Sequence, residues 1–329
     1  MHPTVSELYA RLRLPVICAP MFIVSCPELV IAQCASGVVG SMPALNARQP
    51  EQLSPWLTQI ETALAELREG DPDRIIAPYA INLILHPSNE RVEPDLAVCA
   101  EHKVPMIITS LSAPHRVVNT VHGWGGQVFH DVTTVRHAEK ALEAGVDGLI
   151  LVTAGAGGHG GTTNPLALVG EIRRFYDGPL VLSGTISRGD DIAAARAMGA
   201  DFAYIGTRFI ASEEANAAQA YKQAIVEAGS KDILYTPYFS GIPGSYLKSS
   251  IIAAGLDPEK LPAANQATAG FGKSRVRPWK DIWGAGQGVG NIGEVLPVAE
   301  IVTRLEEEYL RSVQRVSSDC FAGREATSV

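Results

Sequence analysis

Thr153-Ala154-Gly155-Ala156-Gly157-Gly158-His159-Gly160-Gly161 sets one titratable side chain among five glycines. The apolar run Gly148-Leu149-Ile150-Leu151-Val152 directly before it reads as a buried strand, so bare backbone and an imidazole meet at a strand's C-terminal end. Glycine lets a ligand approach the main chain closely. An imidazole there can hold a proton, donate one or carry charge near neutral pH. The plain alternative is a flexible turn with a solvated histidine. Ser183-Gly184-Thr185 and Gly206-Thr207 also join bare backbone to a hydroxyl. Each alone is a tight strand-to-helix turn; on consecutive strands, together, they suit a phosphate held by backbone N–H groups. Asp190 and Asp191, in the first turn of the next helix, would repel a phosphate placed directly there, which leaves its binding to the Gly184 and Gly206 backbone.

These residues need elements to position them. Apolar segments at Val16–Ala19, Val38–Met42, Ala80–Leu85, Met106–Ser110, Gln127–Val132, Leu149–Thr153, Leu180–Ser183 and Phe202–Gly206 read as strands. Amphipathic stretches between them, Pro50–Arg68, Glu93–His102, Thr134–Ala144, Pro165–Tyr176, Asp190–Met198 and Glu213–Ala228, read as helices, the last starting at Ser212 with acids in its first turn. Eight strands alternating with helices predict a (β/α)8 TIM barrel of the α/β class, with a doubly wound open sheet as the other topology. Active sites of such barrels gather at the C-terminal strand ends.

The alternation breaks near Gly229. Residues 1–229 are expected to form the barrel, completed by a C-terminal helix at 294–316, with a small helical lid insertion at 230–293 and a frayed tail at 317–329. The insertion includes Gly241-Ile242-Pro243-Gly244, Leu261-Pro262-Ala263-Ala264 and the basic cluster Lys273-Ser274-Arg275-Val276-Arg277. The chain has 329 residues, 46% hydrophobic composition and a net charge of −8. It carries no basic stripe, which argues against nucleic acid and anionic membranes as partners. No 18-residue apolar run or charged-then-apolar N-terminal segment occurs, and a cytoplasmic location is expected.

Asn82 lies in an apolar strand, where an unpaired amide is costly; it is either bonded to backbone or reading a ligand at the barrel mouth. His130 and Asp131 are adjacent on the fifth strand, so one faces the mouth and the other the helical layer. His86, His102, His115, His122 and His137 read as surface or capping residues. Cys18, Cys26, Cys34, Cys99 and Cys320 show no metal-ligand spacing and read as reduced thiols, with Cys320 exposed in the tail.

Ala19-Pro20-Met21, Asn82, Gly157-Gly158-His159, Ser183-Gly184, Gly206-Thr207-Arg208-Phe209 and Trp283-Gly284-Ala285-Gly286-Gln287, in this order, resemble the nitronate monooxygenase (2-nitropropane dioxygenase) family over roughly residues 15–300. The resemblance implies an FMN-containing barrel with a small domain over the flavin. It implies that Pro20 and Met21 pass the flavin ring, that Asn82 contacts FMN, and that Gly184, Gly206 and Thr207 hold its phosphate. Ala19, His130, Gly157, Gly158, Ser183, Thr185 and Gln287 complete the expected cofactor set, and His159 matches the family's active-site histidine. The implied reaction oxidises alkyl nitronates with O2 to carbonyl compounds and nitrite, with His159 holding the nitronate or serving as base. No metal is expected, and homo-oligomerisation is left open.

Some members carry a lysine where this chain has Asp131; an ionised acid there would not favour an anionic reduced flavin. In the lid, Tyr235, Tyr238, Tyr246 and Lys248 would suit an anionic or extended substrate, and lid packing explains the aromatics equally well. The alternative function on the same fold is an NAD(P)H-dependent flavin reductase of quinones or enoyl thioesters, with the basic cluster holding dinucleotide phosphates. A flavin-free phosphosugar barrel is a third reading, opposed by the Gly157-Gly158-His159 loop and the Pro20-Met21 turn.

Overall fold

The computed structural model describes residues 2–261 and 277–318. Most of the basic cluster (273–276), Pro262-Ala263-Ala264 and Cys320 therefore lie outside the described residues.

Eight parallel strands form the barrel: β1 (Val16–Cys18), β2 (Gly40–Pro43), β3 (Tyr79–Leu85), β4 (Met106–Leu111), β5 (Gln127–Val132), β6 (Gly148–Val152), β8 (Leu180–Ser183) and β9 (Phe202–Ile205). β1 pairs with β9, and an Ile17–Val39 bridge closes the ring toward β2. Near-continuous apolar strands suit a sheet covered on both faces. Residues of one parity, including Ile17, Ala80, Ile108, Phe129, Ile150, Val181 and Phe202, fill the barrel. Those of the other, such as Val16, Ile81, Ile107, Val128, Leu149 and Leu182, pack on the helices. The short helix α1 (Pro3–Tyr9) lays Val5 and Leu8 into the interior cluster, where Tyr9 meets Phe202 edge-on, and so stoppers the N-terminal end. The opposite end is left for chemistry.

Outside the ring run α2 (Pro27–Ala35), α3 (Leu53–Gly70), α4 (Val92–Glu101), α5 (His115–His122), α6 (Val135–Glu143), α7 (Pro165–Arg173), α8 (Gly189–Met198), α9 (Thr207–Ile210) and α10 (Gln219–Glu227). Helix α10 starts later than the Ser212-Glu213-Glu214 signal predicts. Ser212 instead bridges to Leu296, and both carboxylate oxygens of Glu214 accept from Val298 N at 3.1 Å. The acid does serve a helix N-terminus, but that of α12 (Val298–Ser317), which packs across α8 and α2. Helices α2 and α5 are not anticipated by the sequence reading.

The insertion differs from an all-helical unit. Its described residues include a short helix, α11 (Lys248–Ala253), together with an antiparallel hairpin, β10 (Ile233–Thr236) and β11 (Gly244–Leu247). Phe239, Tyr246, Ile251 and Ile282 give it a small core of its own. The third strand of its sheet is β7 (Gly158–His159), contributed by the glycine-rich loop: Gly244 pairs with His159 and Ser245 with Gly158. Among the described residues, no helix is long and apolar enough to cross a membrane.

Candidate active site

A cavity of about 860 Å³ opens at the C-terminal ends of the barrel strands and under the insertion, within the range usual for cofactor and ligand sites. Ala19, Pro20 and Met21 form one wall after β1. Their loop is held by Asn46, whose Nδ2 donates to Met21 O at 3.0 Å and Ser25 O at 2.7 Å while its Oδ1 accepts from Ile23 N at 2.9 Å. Asn46 belongs to no motif and escapes the sequence reading. Asn82 faces the cavity and also donates to Ile108 O at 3.2 Å, so its amide bonds to backbone while bordering the ligand space.

The opposite wall is a cradle of backbone. Ser183, Gly184, Thr185, Gly206 and Thr207 all border the cavity. Gly184 has φ +129°, and a Cβ there would come within 2.5 Å of Thr153 Oγ1 and 2.8 Å of Ala154 O. Thr185 holds φ +61° without being glycine, backbone strain of the kind that concentrates at ligand sites. Thr153 Oγ1 donates to Ser183 O at 2.7 Å and ties the two loop bases together. The acids after the cradle are engaged elsewhere. Asp191 Oδ2 accepts from Ser187 N and Arg188 N, each at 3.0 Å, and Asp190 accepts from Ser312 Oγ at 2.9 Å and lies 3.6 Å from the Arg315 guanidinium. Neither acid borders the cavity, and the cradle can take an anion on its amides and hydroxyls.

The glycine-rich loop is packed rather than flexible. Gln287 N donates to Gly155 O and Gly286 N to Thr207 Oγ1, both at 2.9 Å. A Cβ on Gly157 would stand 2.8 Å from Gly286 N. Gln287 thus braces the loop from behind and is not one of the residues bordering the cavity. Gly157, Gly158 and His159 all border it. His159 Nε2 lies 2.8 Å from Ser240 Oγ, which donates to Ile242 O at 3.0 Å and stands 3.2 Å from Tyr246 OH. With its one hydrogen on Ile242 O, Ser240 accepts from His159; this assigns the Nε2–H tautomer and leaves Nδ1 with a lone pair. Trp279 meets the ring edge-on, centroids 5.1 Å apart. The surrounding protein lowers the His159 pKa by desolvation, so the ring is neutral at pH 7 although one side is open to the cavity.

The four lid residues separate. Tyr235 borders the cavity and donates to Gly160 O at 2.7 Å. Tyr246 is fully buried and reaches the site only through Ser240. Tyr238 stacks edge-on against Phe239, and Lys248 Nζ turns to Glu259 at 3.1 Å; neither borders the cavity. Lid packing, the other reading of these residues, is what engages Tyr238 and Lys248 here. The insertion's own core and surface claim them.

On β5, His130 belongs to the helical side: Nδ1 lies 2.7 Å from Thr109 Oγ1, and burial lowers its pKa to about 4. It nevertheless borders the cavity. Asp131 has the interior parity, and burial raises its carboxyl to about 7. His137 and Lys140 of α6 border the cavity too, although His137 reads from sequence as a surface residue. Cys18, Cys34 and Cys99 are buried, and their thiols are pushed up by desolvation. Among the described residues, no cluster of three or more His, Cys, Asp or Glu could hold a metal.

A family model described as nitronate monooxygenase matches residues 8–308. A nitronate monooxygenase of Paraburkholderia phytofirmans is 26% identical over 350 residues, covering 92% of this chain and 94% of its own. A nitroalkane oxidase from Streptomyces ansochromogenes superposes with a TM-score of 0.77 at 24% identity, covering 95% of this chain and all of its own. FabK from Thermotoga maritima gives a TM-score of 0.75 at 26% identity over 96% and 98% of the two chains.

Proposed function

From the premise that this chain belongs to the nitronate monooxygenase family of flavoenzymes, we propose that it binds FMN and oxidises alkyl nitronates with O2 to carbonyl compounds and nitrite. One observation carries the reading. A neutral histidine with a free ring nitrogen faces the same cavity as a carboxylate-free backbone cradle.

The residues fit FMN. Gly184, Thr185, Gly206 and Thr207 would hold the phosphate, where the space a Cβ would fill at Gly184 is already closed to any side chain. Ala19, Pro20, Met21 and Asn82 would line the ring. Bound flavin supplies the electron-accepting chemistry and the reaction with oxygen. His159 does the rest of the polar chemistry. Nδ1 accepts the α-proton of a neutral nitroalkane; the imidazolium then holds the nitronate by a charge-assisted Nδ1–H hydrogen bond. Ser240 keeps Nε2 protonated throughout, and the edge-on contact with Trp279 helps hold the ring's orientation.

The spectrum of the purified protein, followed by anaerobic mixing with an alkyl nitronate and separately with NADH or NADPH, tests this. Flavin bands bleached by nitronate and not by nicotinamide are the expected result; bleaching by NAD(P)H alone makes the protein a reductase. Ser240→Ala removes one neutral hydrogen bond, of about 0.5–1.5 kcal/mol. We expect kcat to fall a few-fold, with KM and flavin content held. An unchanged kcat and pH profile would remove Ser240 from the orientation of the base.

A further inference from the structure

Two buried polar atoms at the cavity, Asp131 Oδ1 on β5 and Tyr204 OH on β9, have no hydrogen-bond partner. Both belong to the interior parity of their strands, two residues beyond Phe129 and Phe202 of the barrel filling, and both border the cavity. Tyr204 is 6% exposed. They reach the same cavity from two strands that are not neighbours in the sheet. A buried polar group left unmade costs about 1–3 kcal/mol, so two such atoms at one ligand cavity point to a partner that the ligand itself supplies. Burial alone raises the Asp131 carboxyl, with no cation opposing it. The Tyr204 phenol is likewise held protonated by desolvation. The floor therefore offers the Tyr204 O–H and, in its protonated form, the Asp131 O–H, and what these bind is an acceptor edge.

We propose that Asp131 and Tyr204 form a donor pair that hydrogen-bonds the carbonyl and ring-nitrogen edge of the bound flavin and favours its reduced form. This rests on the flavin reading above. Negative charge gathers on that edge when two electrons arrive, so donors strengthen their bonds to the reduced ring more than to the oxidised one. A carboxylic acid kept neutral by burial is suited to this, whereas an ionised carboxylate would act in the opposite direction.

The test uses FMN-loaded protein and measures the midpoint potential of the bound flavin at pH 7 against a reference dye, along with the Kd for FMN. Asp131→Asn keeps a neutral N–H donor of similar shape and is expected to hold the wild-type potential. Asp131→Ala and Tyr204→Phe are each expected to lose about tenfold in preference for the reduced form, about 30 mV lower for a two-electron couple. A higher potential in Asp131→Asn would show an ionised carboxylate and overturn the proposal. So would unchanged potentials in both Asp131→Ala and Tyr204→Phe, read in loaded protein. Wild-type protein that takes up no flavin after reconstitution would instead overturn the functional reading, and the pair's role with it. Tyr204→Phe and Asp131→Asn change little volume and keep the result readable should Asp131→Ala fold poorly.

Discussion

His159→Ala is expected to lower turnover of neutral nitroalkanes by about 10²–10⁴-fold, the usual contribution of a positioned general base, while the protein keeps its flavin spectrum. In the proposed reaction the ring would meet substrate through Nδ1, while Nε2 meets the insertion; none of the cradle's bonds passes through it, so cofactor loading has no reason to change. Preformed nitronate needs no proton transfer, and it gains the charge-assisted hydrogen bond only where Nδ1 takes up a proton on binding, so with it the loss should be smaller and shift toward a raised KM. Steady-state kinetics on a nitroalkane and its nitronate in parallel separate the two roles. Wild-type rates on both would take His159 out of the chemistry. The pH dependence has a definite sign. Desolvation lowers the His159 pKa from its ordinary 6.5, so the free base persists below that value and activity is lost only as pH falls through the lowered pKa.

Gly184→Asp should yield a folded but colourless protein. Its backbone sits at φ +129°, and the new Cβ would press on Thr153 Oγ1 at 2.5 Å and Ala154 O at 2.8 Å. Strain of this kind costs about 1–3 kcal/mol, and the added carboxylate brings a negative charge into the loop assigned to the phosphate. Gly184→Ala brings the strain without the charge and should retain flavin at reduced affinity. Flavin content and melting temperature with and without added FMN report the difference, since a ligand bound only by the native state raises the melting temperature. A fully loaded Gly184→Asp protein would place the phosphate elsewhere.

The barrel was legible because each strand is a short apolar run that is buried on both faces, and the helices between them carry one apolar stripe each. The clearest misplacement, the Ser212-Glu213-Glu214 helix start, has a physical reason: an acid that caps a helix need not cap its own, and Glu214 caps one 84 residues away. Strand β7 was invisible because glycine and a lone histidine have no β preference; the pairing comes from β11, far along the chain. The cradle at Ser183–Thr185 and Gly206–Thr207 was readable from bare backbone at consecutive strand ends. Ser240, Asn46 and Trp279 were not, because their roles arise from contacts across the fold that no local pattern encodes. Asp131 reads in sequence as an ordinary charge; only the fold shows its carboxyl desolvated and raised.

The pairing of β7 with β11 has a consequence for selectivity. His159 is a strand of the same small sheet that roofs the cavity, so the base and the roof share one position. A substrate that props the roof away also draws the imidazole out of reach of the α-carbon. Ill-fitting molecules are then rejected at the proton-transfer step, after they have bound, and discrimination between chain lengths should fall in kcat more than in KM. Exchanging the roof for that of a relative would carry the reactivity of the base along with it.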